Sequence, residues 1–167
     1  MLSFVNLRGI DMPKAIFGAG CFWKLEEHFR CIFGVVDVSV GYSGGTKDNP
    51  TYEEVCTGKT GHAEVANISY DTSKVQYKEL LRIFFNFHDP TLINRQGLDV
   101  GNQYRSVIFF DNTEQQRSAY AARAALLANG VRVTTEIVKF DIFWRAEEYH
   151  QQFLSKHYKN LFRNLSR

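Results

Sequence analysis

The sequence predicts an α/β protein in which helices pack on one sheet. Segments with alternating apolar residues are separated by segments with apolar residues at spacings of three and four, the patterns of strands and helices. The length of 167 residues suits one domain with a sizeable core. No repeat, low-complexity stretch or linker divides the chain, so we expect a single domain over residues 1–167.

The first third of the chain alternates strand and helix. Residues 14–17 have the pattern of a short strand, and a helix begins at Cys21 and ends at Gly34. Residues 36–40 alternate apolar and polar side chains, which predicts a half-buried strand. A long polar loop follows, and residues 63–70 alternate again as a strand.

Capping patterns predict the next two helices. Ser73 with Gln76 has the spacing of a capping box, and Pro90 ends the helix that it opens. The same spacing recurs at Thr113 and Gln116, before an alanine-rich helix.

The remaining segments complete an alternating order of strands and helices. In chain order they are a loop at 94–103, a strand at 106–110, the end of the alanine-rich helix at Gly130, a strand at 133–140 and a last helix from 146 to about 158.

Composition argues against several classes of function. The net charge of +2 is too small to suggest a nucleic-acid partner, and a frayed, solvated end explains the basic C-terminal residues Lys156, Lys159, Arg163 and Arg167. No run approaches the ~20 apolar residues that cross a bilayer. The N-terminus lacks the pattern of a secretory signal. We therefore expect a cytoplasmic protein with no membrane or nucleic-acid partner.

Cys21 is the strongest candidate for chemistry. It follows Gly20 at the start of the first predicted helix, where free N–H groups and the helix dipole stabilise a thiolate and lower the thiol pKa. Lys24, one turn on, could help the same thiolate. Position alone fits a purely structural cysteine equally well. The following Phe22 and Trp23 favour a reactive thiol, because two aromatic side chains can form a slot for a small apolar group.

The other two cysteines are weaker candidates. Three unevenly spaced cysteines make neither a disulfide framework nor a paired metal site. Cys31 lies ten residues along the predicted helix, about 15 Å from Cys21, whereas a disulfide needs Cα atoms within about 7 Å. Cys31 is therefore interpreted as core or surface filler. Cys56 is interpreted as a buried apolar group, with access to the site as the alternative.

Glu64 begins the strand at residues 63–70, on the face that it shares with Ala66, Ile68 and Tyr70. A carboxyl group at the mouth of an apolar face is partly desolvated, so its pKa rises and it could donate a proton near neutral pH. Taken alone, a glutamate that turns to solvent is the simpler interpretation.

Tyr52 in one loop, and Asp99 with Tyr104 in another, are further polar candidates. Tyrosine hydroxyls can donate to an oxygen that gains negative charge. Considered without other information, such residues more often serve turns or packing.

Together, these segments resemble the peptide methionine sulfoxide reductase A family. They occur in the family's order and cover about residues 14–155, which we expect to be the catalytic core, with terminal extensions at 1–12 and 158–167. The matching runs are 20–23, 41–45, 49–56, 61–64, 88–91, 94–97, 99–101, 103–106 and 148–152.

The resemblance implies a two-layer α/β (α+β) sandwich, a mixed sheet with a ferredoxin-like core, and no bound cofactor or metal. It implies that the Cys21 thiolate attacks the sulfur of methionine sulfoxide and becomes a sulfenic acid. Glu64 would donate the proton. Phe22 and Trp23 would form the box for the substrate methyl group.

The resemblance also assigns the remaining polar candidates and the substrate. Tyr52 and Tyr104 would hydrogen-bond the sulfoxide oxygen, with Asp99 supporting them. The substrate would be the S epimer of methionine sulfoxide, in oxidised proteins or peptides and as the free amino acid, and the enzyme a monomer engaged in repair of oxidative damage.

Two departures from the family bear on the reductant. Lys24 stands where many members have glycine, and no cysteine follows Cys56, whereas many members carry resolving cysteines near the C-terminus. We therefore expect an external thiol, either thioredoxin or glutathione with glutaredoxin, to reduce the sulfenic acid. Resolution by Cys56 or Cys31 is the less favoured alternative.

Two other classes stay open at this point. A cysteine hydrolase would pair Cys21 with His62, or with His88 and Asp89, although nothing in the local sequence brings either histidine to Cys21. A non-catalytic protein that binds methionine-containing or oxidised peptides would need no reactive thiol.

Overall fold

The structure is a computed structural model that describes residues 12–158. The strands are β1 (Lys14–Gly18), β2 (Val35–Ser43), β3 (Ala63–Tyr70), β4 (Arg95–Gln96), β5 (Asp99–Val100), β6 (Val107–Phe110), β7 (Glu136–Lys139) and β8 (Trp144–Arg145). The helices are α1 (Phe22–Arg30), α2 (Tyr52–Cys56), α3 (Tyr77–Phe87) and α4 (Thr113–Ala128), with 3-10 turns at Asn102–Tyr104 and Glu148–His150 and helical residues at 153–158.

One six-stranded mixed sheet organises the fold, in the order β7-β6-β1-β3-β2-β8. Neighbouring strands are antiparallel except β6 and β7, which are parallel. The units β1-α1-β2-β3-α3-β6 run in the β-α-β-β-α-β order of a ferredoxin-like domain. The predicted fold class, a mixed sheet with helices packed on it, is confirmed.

The main core lies between the helices and one face of the sheet. Phe17 of β1 is fully buried and packs against Phe29 of α1 and Phe84 of α3, with ring centroids 5.7 and 4.8 Å away. Leu25 and Phe29, one turn apart on the predicted apolar stripe of α1, are both inaccessible to solvent. This packing fixes the direction of α1 and therefore the place of its first residues above the sheet.

The predicted helix caps are displaced from the true ones, by three residues at α3 and by one residue at α4. The capping box of α3 joins Gln76 and Glu79, while Ser73 donates to Asp71 in the preceding turn. Asn112 caps α4 by accepting the N–H of the third residue after it, so Thr113 is the first helical residue rather than the cap. At both true caps the backbone is extended, as an N-cap position requires.

Three elements differ from the prediction. Residues 52–56 fall in the predicted polar loop, but they form α2. Thr51 and Glu54 make a capping box for this helix, and their spacing in the sequence could have predicted it. The predicted helix from 146 is instead preceded by β8, contains a 3-10 turn and becomes helical at 153. The pairing of β8 with β2 holds this segment extended, and Ala146 continues it by donating its N–H to Val40.

The strand that was predicted as 36–40 extends over 35–43, and its start is irregular. A β-bulge shifts the register between Val35 and Asp37 and leaves Val36 57% exposed. The strand predicted at 133–140 is limited to residues 136–139.

Within residues 12–158, no helix has the length and apolar content that a membrane span requires. Lys159, Arg163 and Arg167 lie outside the described residues, as do nearly all of the two predicted terminal extensions.

Candidate active site

The candidate site lies where the start of α1 meets the start of β3. Cys21 is the N-cap of α1, and its carbonyl accepts the N–H groups of Lys24 and Leu25. The side chain is partly accessible to solvent. The nucleophile candidate therefore lies at a helix N-terminus, as the sequence predicted.

The surroundings of Cys21 raise the pKa of its thiol, whereas the sequence predicted a lowered pKa. Burial is the largest influence and raises its pKa, and the carboxylates of Glu64 and Asp99 raise it further. The backbone N–H groups of Trp23 and Lys24 act in the opposite direction but do not outweigh burial. The prediction of a lowered thiol pKa is wrong for the substrate-free protein.

Lys24 does not act on the thiol as an unpaired cation. Its Nζ lies 3.5 Å from Oδ2 of Asp99 in the hairpin β4–β5. The lysine side chain is 67% exposed and the aspartate 32% exposed, so this ion pair is largely solvated. It links α1 to the hairpin across the mouth of the site.

Glu64 is buried beside the nucleophile candidate, with only 2% of its surface exposed. Its Oε2 accepts the backbone N–H of Phe22 at 3.0 Å. Burial raises the pKa of Glu64 to about 7, the charge of Asp99 contributes, and the Phe22 hydrogen bond opposes the shift. A solvent-facing glutamate is thus excluded, and the carboxyl group can hold a proton near neutral pH.

Aromatic rings enclose the side of the site next to Cys21. Phe22 is 1% exposed and packs against Tyr42, Tyr52 and His150, with ring centroids 5.9, 6.4 and 5.1 Å away. Trp23 is half-buried beside it, with the ring centroids 6.5 Å apart. These packed rings form an apolar wall beside Cys21.

Tyr52 and Cys56 form a second group at the site, on α2. Burial raises the pKa of Tyr52, and the neighbouring Cys56 side chain contributes in the same direction. Cys56 is exposed, so its interpretation as a buried apolar group is wrong. Partial burial raises the pKa of the Cys56 thiol, and the charge of Glu64 contributes in the same direction.

Tyr104 is held by the backbone that precedes Cys21. Its carbonyl oxygen accepts the N–H of Gly20 at 3.2 Å. Gly20 has φ +79°, and a Cβ there would lie 2.7 Å from Cβ of Gln96, so glycine is required by both conformation and space. Burial raises the pKa of Tyr104 to about 12, with further contributions from the charges of Glu64 and neighbouring groups.

The structure thus brings together all the predicted site residues. They are Cys21, Phe22, Trp23, Tyr52, Glu64, Asp99 and Tyr104. Cys31 is separate from them, exposed at the C-cap of α1.

Two residues of the site were not singled out from the sequence. His150 is 1% exposed and lies beneath the aromatic wall, where its Nδ1 accepts the indole N–H of Trp23 at 3.0 Å. Glu147 accepts from the Tyr42 hydroxyl and from the Tyr52 backbone N–H, each at 2.8 Å. The matching run at 148–152 was the available signal for His150, but nothing local pairs it with a residue 127 positions away.

The histidines of the hydrolase alternative are bonded elsewhere. The ring nitrogens of His62 contact the N–H of Gly45 and the carbonyl of Lys47. Those of His88 contact the carbonyl of Phe84 and the hydroxyl of Ser106. Within the described residues neither ring bonds to Cys21, so the geometry does not support a cysteine–histidine hydrolase.

No group of three or more histidine, cysteine, aspartate or glutamate side chains suited to a metal ion occurs in the part of the chain that the structure describes.

Comparison with known proteins gives consistent matches over the whole core. A family model described as peptide methionine sulfoxide reductase matches residues 13–166. Peptide methionine sulfoxide reductase MsrA of Nautilia profundicola is 54% identical over 145 residues, which cover 87% of this chain and 84% of that protein.

Solved structures agree with the sequence matches. Methionine sulfoxide reductase A of Corynebacterium diphtheriae superposes with a TM-score of 0.80 at 40% identity, covering 90% of this chain and 77% of that one. Reduced Mxr1 from Saccharomyces cerevisiae gives 0.80 at 35% identity, covering 86% and 84%. Mxr1 has also been solved in complex with Trx2, a structure that matches with a TM-score of 0.61 at 24% identity and covers 83% of each chain.

The fold and these matches define an oxidoreductase that acts on oxidised methionine. The chain belongs to the peptide methionine sulfoxide reductase MsrA family, whose members reduce methionine sulfoxide.

Proposed function

We propose that this enzyme reduces the S epimer of methionine sulfoxide through a sulfenic acid on Cys21, which an external thiol then recycles. The observation that carries the proposal is the buried Glu64 carboxyl group, which is hydrogen-bonded to the residue next to Cys21. An acid and a thiol at one apolar wall are what sulfoxide reduction needs. The sulfoxide oxygen leaves sulfur readily only when it is protonated.

Substrate binding would use the aromatic wall. The methyl group on the sulfoxide sulfur would contact Trp23, with Phe22 packed beneath. This contact would point the sulfoxide sulfur at the Cys21 thiol and its oxygen towards Glu64. Such a fixed orientation distinguishes the two epimers, because exchanging oxygen and lone pair at sulfur would turn the oxygen away from the acid.

The chemical step transfers the oxygen atom from one sulfur to the other. The Cys21 sulfur attacks the sulfoxide sulfur and forms a transient S–S bond while the oxygen takes a proton from Glu64, and the thiol proton returns to the Glu64 carboxylate. The hydroxyl then passes to the Cys21 sulfur as the S–O bond and the S–S bond break, which leaves a sulfenic acid on Cys21. The electron pair of the S–S bond stays on the methionine sulfur, which is thereby reduced by the two electrons that the cysteine sulfur loses. Glu64, Tyr52 and Tyr104 would donate to the oxygen as it gains charge, with Asp99 in a supporting role.

Recycling would consume two equivalents of an external thiol. The first forms a mixed disulfide with Cys21 and releases water, and the second releases the free Cys21 thiol. The solved complex of Mxr1 with Trx2 supports a thioredoxin as the donor, with glutathione and glutaredoxin as the alternative. Such donors are plentiful in a reducing compartment, which is consistent with a cytoplasmic enzyme. We also propose that the enzyme acts as a monomer. Oxidised proteins and peptides, together with the free amino acid, are the proposed substrates.

Cys56 is the internal alternative that the geometry favours over Cys31. It is exposed and lies on the same short helix as Tyr52, whereas Cys31 lies at the far end of α1. One turnover without reductant, followed by mass spectrometry, separates the routes. A gain of one oxygen atom on Cys21 supports the external thiol, and loss of two hydrogens with a Cys21–Cys56 linked peptide overturns it.

The activity itself is tested with separated sulfoxide epimers and several reductants. We expect turnover of the S epimer with thioredoxin, and none of the R epimer. Equal turnover of both epimers would contradict the proposed orientation of the substrate. Turnover of the S epimer by a Cys21→Ser variant would contradict the role of the thiol.

A further inference from the structure

Trp23 is held at its edge by a buried histidine. The indole Nε1–H donates to Nδ1 of His150 at 3.0 Å, and the imidazole is 1% exposed. Because Nδ1 accepts this hydrogen bond, the neutral ring carries its proton on Nε2. The acceptor is therefore available only in one tautomer of the uncharged side chain.

The same indole is also held at its face. Phe153 stacks on Trp23 with ring centroids 3.9 Å apart and an interplanar angle of 13°. A hydrogen bond at the edge and a stacked ring on the face together restrict both side-chain torsions of the tryptophan. The substrate-facing wall is thus rigid before any ligand binds.

His150 contacts the other parts of the aromatic wall as well. Its ring centroid lies 5.1 Å from that of Phe22 and 4.5 Å from that of Tyr52. On the opposite side, Nε2 faces the Glu147 carboxylate at 3.8 Å and, among the described residues, has no hydrogen-bond partner. Glu147 is itself held by Tyr42 and by the Tyr52 backbone, so the surroundings that fix the imidazole are fixed in turn.

We propose that His150 is a positioning residue of the reductase, because its imidazole accepts the Trp23 indole N–H and sets the orientation of the wall that receives the substrate methyl group. The inference rests on the function proposed above, since it assumes that Trp23 contacts the substrate. His150 has no contact with the reacting atoms in this role. It acts on substrate binding through Trp23.

Three substitutions separate the hydrogen bond from packing. His150→Leu removes the acceptor and keeps an apolar side chain. His150→Asn places an amide oxygen on the atom position that Nδ1 occupies, whereas His150→Gln moves the oxygen one bond further out. We expect His150→Leu and His150→Gln to raise KM for the S epimer roughly five- to tenfold, the size expected for one neutral hydrogen bond, with a smaller change in kcat. His150→Asn should restore most of the wild-type KM.

A spectroscopic signal reports the hydrogen bond without turnover. The protein has two tryptophans, Trp23 and Trp144, so the indole ¹H–¹⁵N resonance of Trp23 can be assigned with Trp23→Phe. This resonance should move upfield in His150→Leu and return towards the wild-type position in His150→Asn. If His150→Leu does not fold, His150→Gln provides the same comparison with His150→Asn.

Several outcomes overturn the inference. An unchanged indole resonance and KM in His150→Leu would show that the histidine does not hold Trp23. Equal impairment in the leucine and asparagine variants would show that the histidine matters only for packing. In a Trp23→Phe background, His150→Leu should add little to KM, and full additivity would contradict the proposal. If the wild-type enzyme fails to reduce the sulfoxide while the resonance responds as expected, it is the proposed function that fails.

Discussion

Oε2 of Glu64 lies 3.0 Å from the backbone nitrogen of Phe22, so the carboxyl group is tied to the residue that follows Cys21. The candidate proton donor is therefore hydrogen-bonded to the neighbour of the candidate nucleophile. The two side chains are nevertheless 43 positions apart in the sequence. Any movement of the first turn of α1 relative to β3 would disturb this hydrogen bond.

Replacing Glu64 by glutamine should slow reduction of the S epimer by roughly 10²- to 10⁴-fold, because the proton donor is lost while the shape is kept. The pKa of about 7 requires that wild-type activity declines as the pH rises through that value and the acid deprotonates. This decline should be absent in Glu64→Gln. Initial rates across the pH range check both statements, with the exposed Glu114→Gln as control. If Glu64→Gln kept the wild-type rate and pH profile, the assignment of Glu64 as the proton donor would be wrong.

The same raised pKa makes stability depend on pH. The folded state holds the Glu64 proton more tightly than the unfolded state, so the free energy of unfolding falls as the pH rises from about 4.5 to about 7. Glu64→Gln removes this cost and should stabilise the protein at about pH 8 by at most about 3 kcal/mol, with little difference at about pH 4. Denaturant unfolding at the two pH values measures it. A glutamine variant that is less stable at the higher pH would show that the carboxylate is stabilised in the fold.

Cys21→Ser should abolish reduction of the sulfoxide, because a hydroxyl cannot take up the oxygen atom as a sulfenic acid does. Cys31→Ser is the matched control, since Cys31 is exposed at the other end of the same helix and should be dispensable. Both variants are assayed with the S epimer and a thioredoxin system. If Cys21→Ser kept the full biological effect of the protein, the alternative of a non-catalytic binder would be favoured.

Lys24→Gln should make the Cys21 thiol less reactive at neutral pH. Lys24 pairs with Asp99, and this carboxylate raises the pKa of Cys21. Without the lysine the carboxylate acts unopposed, so the midpoint of the pH dependence of iodoacetamide alkylation should move upward. Lys24→Arg keeps the charge and should leave the midpoint unchanged. Because the ion pair is exposed, the free energy of unfolding should change by less than about 1 kcal/mol. An unchanged alkylation midpoint in Lys24→Gln would show that the lysine does not influence the thiol.

Gly20→Ala should impair activity more than Gly97→Ala. Both glycines have positive φ, which costs an alanine about 1–2 kcal/mol. Only at Gly20 would the added methyl group also collide with a neighbour, Cβ of Gln96 at 2.7 Å, while Gly97 has open space. Activity assays and thermal unfolding of the two variants check this. Equal losses would show that conformation alone matters at these positions.

Sequence patterns predicted much of the fold because its core is built from strongly periodic segments. The stripe through Leu25 and Phe29 and the alternation in β3 each specify one buried face. The strand β8 was missed because its extended form depends on pairing with β2, a contact that two residues cannot signal. Tertiary contacts decided these short elements.

In the candidate site, too, local sequence predicted some features, and contacts between distant segments decided the others. Local sequence placed Cys21 at a helix N-terminus, but the direction of its pKa shift depends on burial by segments far along the chain. His150 was missed for a related reason, since its partner Trp23 lies 127 positions away. The resemblance to a family selected a set of residues that the structure brings together, and their chemical roles stay predictions that the experiments above address.

Both edges of the central sheet end in short strands, β7 with four residues and β8 with two. A long free edge would serve as a template on which another extended chain could add a strand. The proposed substrates include oxidised proteins, and partly unfolded polypeptides carry many unpaired backbone groups. Short edge strands offer such chains few backbone partners, so the enzyme would release a repaired chain rather than aggregate with it.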